Sequence, residues 1–126
     1  MGVLGIGGVF FRAKDPDALN EWYRDHLKVG AGCNPDAAGP VDQWSWTAMG
    51  GPTVFAPFKA DTDYFPADKQ YMLNLRVSGI EPLLTALRTS GIVVETKAEW
   101  DSSNTGKFAR IHDPEGNPIE LWEPPT

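Results

Sequence analysis

The chain has 126 residues, a single cysteine and a net charge of −6 at pH 7, a size that fits one domain and a charge that argues against a sequence-independent grip on nucleic acid or an anionic membrane surface. With Cys33 alone, neither an intrachain disulfide nor a thiolate metal cluster can form, which fits a cytoplasmic address. No apolar run approaches the roughly 20 residues that a membrane-spanning helix needs, and no basic segment followed by an apolar one opens the chain, so neither a span nor a secretory leader is predicted.

Ile6 to Ala13 alternates as a strand, with Val9, Phe11 and Ala13 on one face and Gly8, Phe10 and Arg12 on the other. Asp15-Pro16 then predicts a helix start, with Asp15 as N-cap and Pro16 in the first turn, where a missing N–H costs nothing. Leu19, Trp22, Tyr23 and Leu27 follow at helical spacing as one apolar stripe. The Gly-, Pro- and Ala-rich stretch from Gly30 to Val41 reads as loop. Gln43 to Ala48 alternates as a strand, Gly50-Gly51-Pro52 turns, and Thr53 to Phe58 forms the next strand. Ala60 to Lys69 is a polar crossover dotted with aromatics.

A second cycle repeats the first. Tyr71 to Val77 reads as a strand, with Leu73, Leu75 and Val77 on one face and Met72, Asn74 and Arg76 on the other. Glu81 to Ser90 is a helix with Leu83, Leu84 and Leu87 facing inward, closed by Gly91. Ile92 to Glu95, Lys107 to His112 and Pro118 to Glu123 supply three more strands. The repeat is internal: Arg12 aligns with Arg76 and Leu19 with Leu83 at one constant offset, and Pro52 to Phe55 matches Pro118 to Leu121 at nearly the same one.

The segment Asp113-Pro114-Glu115-Gly116-Asn117-Pro118-Ile119-Glu120-Leu121 is a hairpin signal. It resembles the C-terminal hairpin of the vicinal oxygen chelate superfamily, which contains glyoxalase I, extradiol dioxygenases and bleomycin-resistance proteins. The resemblance covers nearly the whole chain. It implies an α+β fold in which two tandem βαβββ modules, about 1–60 and about 70–126, build a cupped mixed sheet as one glyoxalase-like domain over 1–126. Covering the open edge of such a sheet predicts a homodimer.

In that superfamily one side chain from each of four strands holds a divalent metal on the concave face. Carried over residue by residue, the four positions fall on Gly8, Val54, Met72 and Glu120. Gly8 and Val54 offer no donor atom, and the Met72 thioether is too soft for Mg²⁺, Zn²⁺ or Fe²⁺. Glu120 alone falls short of the three or more protein ligands that such sites normally have. Recruiting His112, Asp101 or His26 through a shifted alignment still yields only two donors. No cofactor is expected; one divalent metal ion is the alternative.

If those four positions face the cavity, alternation brings Phe10, Arg12, Ala56, Phe58, Asn74, Arg76, Phe108, Arg110, His112 and Trp122 to the same face, joined by Trp44 or Trp46. Arg12, Arg76 and Arg110 on an aromatic surface suit a carboxylate or phosphate on an aromatic small molecule. The expected ligand-binding set is Arg12, Arg76, Arg110, Asn74, Phe10, Phe108, Trp46 and Trp122, with Glu120 and His112 as candidate catalytic groups. A plainer reading stands beside it. Pairing across the Asp113–Asn117 turn sets Arg110 opposite Glu120, where the two can neutralise each other, and Arg12 and Arg76 have Asp15, Glu99, Asp101 and Glu123 as possible partners. His112, beside the turn, has ordinary hydrogen bonding as its plain role. Trp100 on its polar loop, and Tyr64 and Phe65 in the crossover, are either lids over the cavity or dimer contacts.

Four functions fit this pattern. The first is a metal-independent protein that binds a small anionic aromatic ligand, as in the drug-sequestering branch that the resemblance implies. The second is an enzyme with Glu120 as a metal-free general base. The third is a metal-dependent lyase, isomerase or dioxygenase, and the fourth is an accessory domain with a collapsed cavity. Fold alone does not choose among them.

Overall fold

The computed structural model describes residues 2–33 and 44–126. Most of the predicted loop from Gly30 to Val41, and the first residue of the strand predicted at Gln43, lie outside the described residues. Helix α1 (Pro16–Leu27) starts where Asp15 and Pro16 place it: the Asp15 carboxylate accepts from the Ala18 amide at 3.1 Å, satisfying a donor that the helix itself cannot. Leu19 and Tyr23 are buried on its inner face.

The second half builds the sheet. Strand β1 (Leu73–Arg76), helix α2 (Ile80–Thr89), strand β2 (Lys107–His112) and strand β3 (Pro118–Glu123) follow in chain order. The sheet order is β1-β3-β2, with β1 parallel and β2 antiparallel to the central β3. Helix α2 ends as Gly91 predicts. Gly91 adopts φ +85°, its amide donates to the Arg88 carbonyl, and the Ile92 amide donates to the Leu87 carbonyl, each at 3.0 Å. That double bond pattern closes a helix end with a left-handed residue. The strand predicted over Ile92 to Glu95 shrinks to one antiparallel bridge, Glu95 to Arg110, outside the three-stranded sheet.

Alternation divides the sheet into two unlike faces. Leu75, Ala109, Ile111, Ile119 and Leu121 point to one side and form a single buried cluster with Leu84 and Leu87 of α2 and Leu19 and Tyr23 of α1. The opposite face carries Asn74, Arg76, Phe108, Arg110, His112, Glu120 and Trp122. Acidic residues fasten both helices to the sheet ends. Glu115 of the hairpin accepts from the Lys14 and Asp15 amides at 2.7 and 3.0 Å, ahead of α1, and Glu123 accepts from the first amide of α2, Ile80, at 3.0 Å. Asp113 is buried and takes four donors: the Glu115 and Asn117 amides, the Asn117 side chain and the Tyr23 hydroxyl at 2.7 Å. Burial first, then the bond and charge of Asp113, push the Tyr23 phenol well above its ordinary range.

The first half departs from expectation. Its helix forms, but Ile6 to Ala13, residues 44–48 and Thr53 to Phe58 carry no strand ladder. Residues 44–48 gain only two backbone bonds, Gly32 amide to Ser45 carbonyl and Thr47 amide to Cys33 carbonyl. A strand needs another backbone to satisfy its amides and carbonyls, and among the described residues none forms a ladder with these segments. Phe10 is 97% and Phe55 88% exposed as a result.

Candidate functional site

The polar face of the sheet converges on its central strand. Register sets Asn74 of β1 and Arg110 of β2 on either side of Glu120 in β3. Glu120 and Arg110 are both buried, Arg110 to 6% exposure. Their hydrogen bonds nevertheless do not go to each other. Glu120 accepts from the Asn74 side-chain amide at 2.8 Å through Oε1 and from the Tyr64 hydroxyl through Oε2. Arg110 donates from Nη2 to the Tyr64 carbonyl at 3.0 Å.

Tyr64 therefore lies across the pair. The Arg110 guanidinium stands 4.9 Å from the Tyr64 ring centroid and 5.7 Å from that of Trp100, inside the range where a cation is attracted to an aromatic face. Tyr64 and Trp100 meet edge to face at 6.3 Å, and Phe58 tilts against Tyr64 at 5.6 Å. Desolvation, then the hydrogen bond and charge of Glu120, push the Tyr64 phenol up to about 12, so it keeps its proton at neutral pH. Arg110 Nε is buried and finds no hydrogen-bond partner among the described residues. A buried donor on a charged group costs free energy until an acceptor reaches it.

A cleft of about 690 Å³ opens beside this arrangement. Residues 61–67 form one wall, and Glu95, Lys97, Trp100, Arg110 and His112 form the other. The bridge between Glu95 and Arg110 and the 3₁₀ turn at Ala98–Trp100 fix the second wall. An aromatic side and one buried guanidinium with a spare donor together can hold a planar molecule bearing an acceptor oxygen.

The predicted residues divide. Arg110, Glu120, Asn74 and His112 come together on the polar face, and Arg110 and His112 line the cleft. Phe108 and Trp122 share that face as a stacked pair with centroids 6.4 Å apart, but they lie outside the cleft. The Trp122 indole donates to the Thr105 carbonyl at 2.7 Å, beside Gly106, where a β-carbon would meet the Glu123 carbonyl at 2.1 Å. Arg76 is turned away, donating to the Pro52 and Met49 carbonyls at 2.6 Å each. Arg12 and Phe10 stand exposed on the unpaired N-terminal segment, and Trp46 is 42% exposed on another. These four expected ligand contacts are thus not brought to the cleft, because their segments lack partner strands or, for Arg76, because backbone carbonyls take the guanidinium. Tyr64 and Trp100 were expected as lid or interface residues; the structure puts both against Arg110, a placement that no periodicity in the crossover or the polar loop encodes.

The donor set does not fit a divalent metal. Both Glu120 oxygens already accept hydrogen bonds, Val54 is 68% exposed on an unpaired segment, and no three His, Cys, Asp or Glu side chains converge among the described residues.

A mixed sheet with both helices on its apolar face and a polar, aromatic-walled cleft on the other defines a small glyoxalase-like domain. The family model described as a glyoxalase-like domain matches residues 8–122, and the chain belongs to that family, within the vicinal oxygen chelate superfamily. No curated protein matches the chain. Among solved structures it is similar to TnmS3, an antibiotic binding protein from Streptomyces sp. CB03234, at 20% identity and a TM-score of 0.58 over 98% of both chains. It is also similar to the integron cassette protein HFX_CASS4 from the mobile metagenome of Halifax Harbour Sewage Outfall, at 21% identity and a TM-score of 0.52, over 94% of this chain and 99% of that one. At these identities the likeness concerns the fold.

Proposed function

We propose that this chain is a glyoxalase/bleomycin-resistance-like binding protein that holds a small anionic aromatic ligand in the cleft beside Arg110, without a metal, as a homodimer of single-domain, two-module chains in the cytoplasm. The observation that carries the ligand reading is the Arg110 guanidinium, buried against Tyr64 and Trp100 with Nε unpartnered. A carboxylate is the acceptor that a guanidinium pairs with best, and the Trp100 ring on the far wall supplies stacking for an aromatic body. The antibiotic-binding neighbour supports small-molecule binding on this fold. Catalysis by Glu120 as a base is less well supported, since two hydrogen-bond donors already engage its oxygens.

The dimer rests on a separate observation. Among the described residues, every large hydrophobic that stands exposed, Val93 apart, lies between Val3 and Phe58, and all but Val3, Leu4 and Met49 of these fall on the segments predicted as first-module strands. A second copy would supply the partner strands that complete the first βαβββ module. Tryptophan fluorescence titration with matched aromatic acids and amines tests the ligand reading. Saturable quenching by acids and not by amines is expected; saturable quenching by amines alone would defeat it.

A further inference from the structure

Resting on that reading, we propose that Tyr64 occupies the ligand's own subsite and that the ligand is a phenolic acid, with a hydroxyl at one end of an aromatic ring and a carboxylate at the other. One residue presents three features in a row to the pair beneath it. The Tyr64 hydroxyl donates to Glu120 Oε2, its ring lies 4.9 Å from the Arg110 guanidinium, and its backbone carbonyl accepts from Arg110 Nη2 at 3.0 Å. The cross-strand pair of Arg110 and Glu120 is thus satisfied by a hydroxyl, a ring and an oxygen acceptor lying end to end.

The match is incomplete at one end, and that end identifies what is missing. A neutral carbonyl engages one nitrogen of a guanidinium built for two parallel bonds, and Nε is left buried and unpartnered. A carboxylate in the place of that carbonyl would take both nitrogens and supply the counter-charge that Tyr64 cannot. At the other end Glu120 requires a donor for Oε2, so an arriving ring must bring its own hydroxyl or leave a buried carboxylate oxygen short of a partner. Residues 61–67, which carry Tyr64, form neither helix nor strand in the chain and line the cleft, so no sheet or helix bond holds the ring in place. Displacement of Tyr64 by the ligand is the entry step.

The test measures binding of para-hydroxyphenylacetate, phenylacetate and tyramine by tryptophan fluorescence in the wild type, Tyr64→Ala and Tyr64→Phe, with circular dichroism to confirm folding. The hydroxy acid is expected to bind about tenfold or more tighter than phenylacetate, as a lost bond to a charged group predicts. Vacating the subsite in Tyr64→Ala is expected to tighten the hydroxy acid about tenfold, with tyramine failing to bind. Equal affinity for the two acids, or an unchanged or weaker affinity in Tyr64→Ala, overturns the phenolic-acid inference while leaving an anionic aromatic ligand in place. Failure of both acids to bind any variant overturns the broader reading as well. If Tyr64→Ala does not fold, Tyr64→Phe decides: it keeps the ring but frees Glu120, so tighter binding of the hydroxy acid supports the inference and unchanged or weaker binding refutes it.

Discussion

Arg110 and Glu120 stand opposite each other in the β2–β3 register and are joined through Tyr64, which accepts from one at its carbonyl and donates to the other from its hydroxyl. A directly paired guanidinium and carboxylate would be spent on each other. Here the intervening phenol keeps them apart, and the guanidinium retains a spare donor.

Arg110→Gln is expected to weaken binding of aromatic acids about ten- to a hundredfold, the range for losing a charge-assisted bond in a partly desolvated site. Arg110→Lys is expected to recover little of it, because an ammonium offers neither the planar fork nor the stacking surface that Tyr64 and Trp100 enclose. Full recovery by lysine in the fluorescence titration would reduce the site to a point charge.

Burial raises all three tyrosine phenols above their ordinary range, Tyr64 to about 12 and Tyr23 further still. For Tyr64 the folded value lies above the unfolded value of 10.0, so its contribution to stability is complete below pH 10 and is lost as pH rises through about 12. An ultraviolet titration of phenolate is expected to show little ionisation at pH 10 and a rise beyond it, and Tyr64→Phe is expected to remove the Tyr64 share of the alkaline instability. One phenol half-ionised at pH 10 in the folded protein would contradict the burial of the group responsible.

Both helices and the second-half sheet could be read from sequence because local signals and tertiary partners agree there. Asp15-Pro16 marks the start of α1, Gly91 the end of α2, and the Pro-Glu-Gly-Asn turn sets the register that places Arg110 against Glu120. Strand alternation sorted the polar face from the core without error in β1, β2 and β3. The first half carries the same alternation, yet Ile6 to Ala13 and Thr53 to Phe58 remain unpaired, because periodicity encodes which face a strand shows and not where its partner is. Tyr64 escaped for a related reason. Its role depends on where an irregular crossover lies over the sheet, which is set by long-range contacts alone.

Asp113 is the structural anchor of the hairpin. Its carboxylate closes the turn and binds the Tyr23 hydroxyl, tying α1 to the sheet. Asp113→Ala leaves several buried donors without a partner and is expected to cost about 3 kcal/mol or more in urea unfolding. Tyr23→Phe is expected to cost about 1 kcal/mol, and the double variant less than the sum, since both remove the same bond. Strict additivity would mean that the bond contributes nothing.

Elemental analysis of protein purified without chelator is expected to find no stoichiometric transition metal. Of the four superfamily ligand positions only Glu120 retains a suitable donor, and Asn74 and Tyr64 already occupy its oxygens. Close to one metal per chain, lost in Glu120→Ala, would refute this and return the cleft to metal chemistry.

Val3, Leu4, Phe10 and Phe55 are each exposed by 88% or more in the single chain. Water contact over these apolar side chains is unfavourable, at about 25 cal/mol per Å² of apolar area left unburied, and the open backbone groups of an extended segment are a template for pairing. Among the described residues the outer edge of β1 is likewise unpaired in the sheet order β1-β3-β2. Two copies can satisfy both needs reciprocally, as the self-complementary geometry of a twofold dimer requires. Light scattering at micromolar concentration is therefore expected to return about twice the 13.8 kDa of one chain. Phe10→Asp places a charge on the segment that must be buried, and is expected to shift the mass toward one chain while leaving the α2 and β1–β3 core folded by circular dichroism. A wild-type mass of 13.8 kDa would instead mean that the first-half strands find their partners within their own chain.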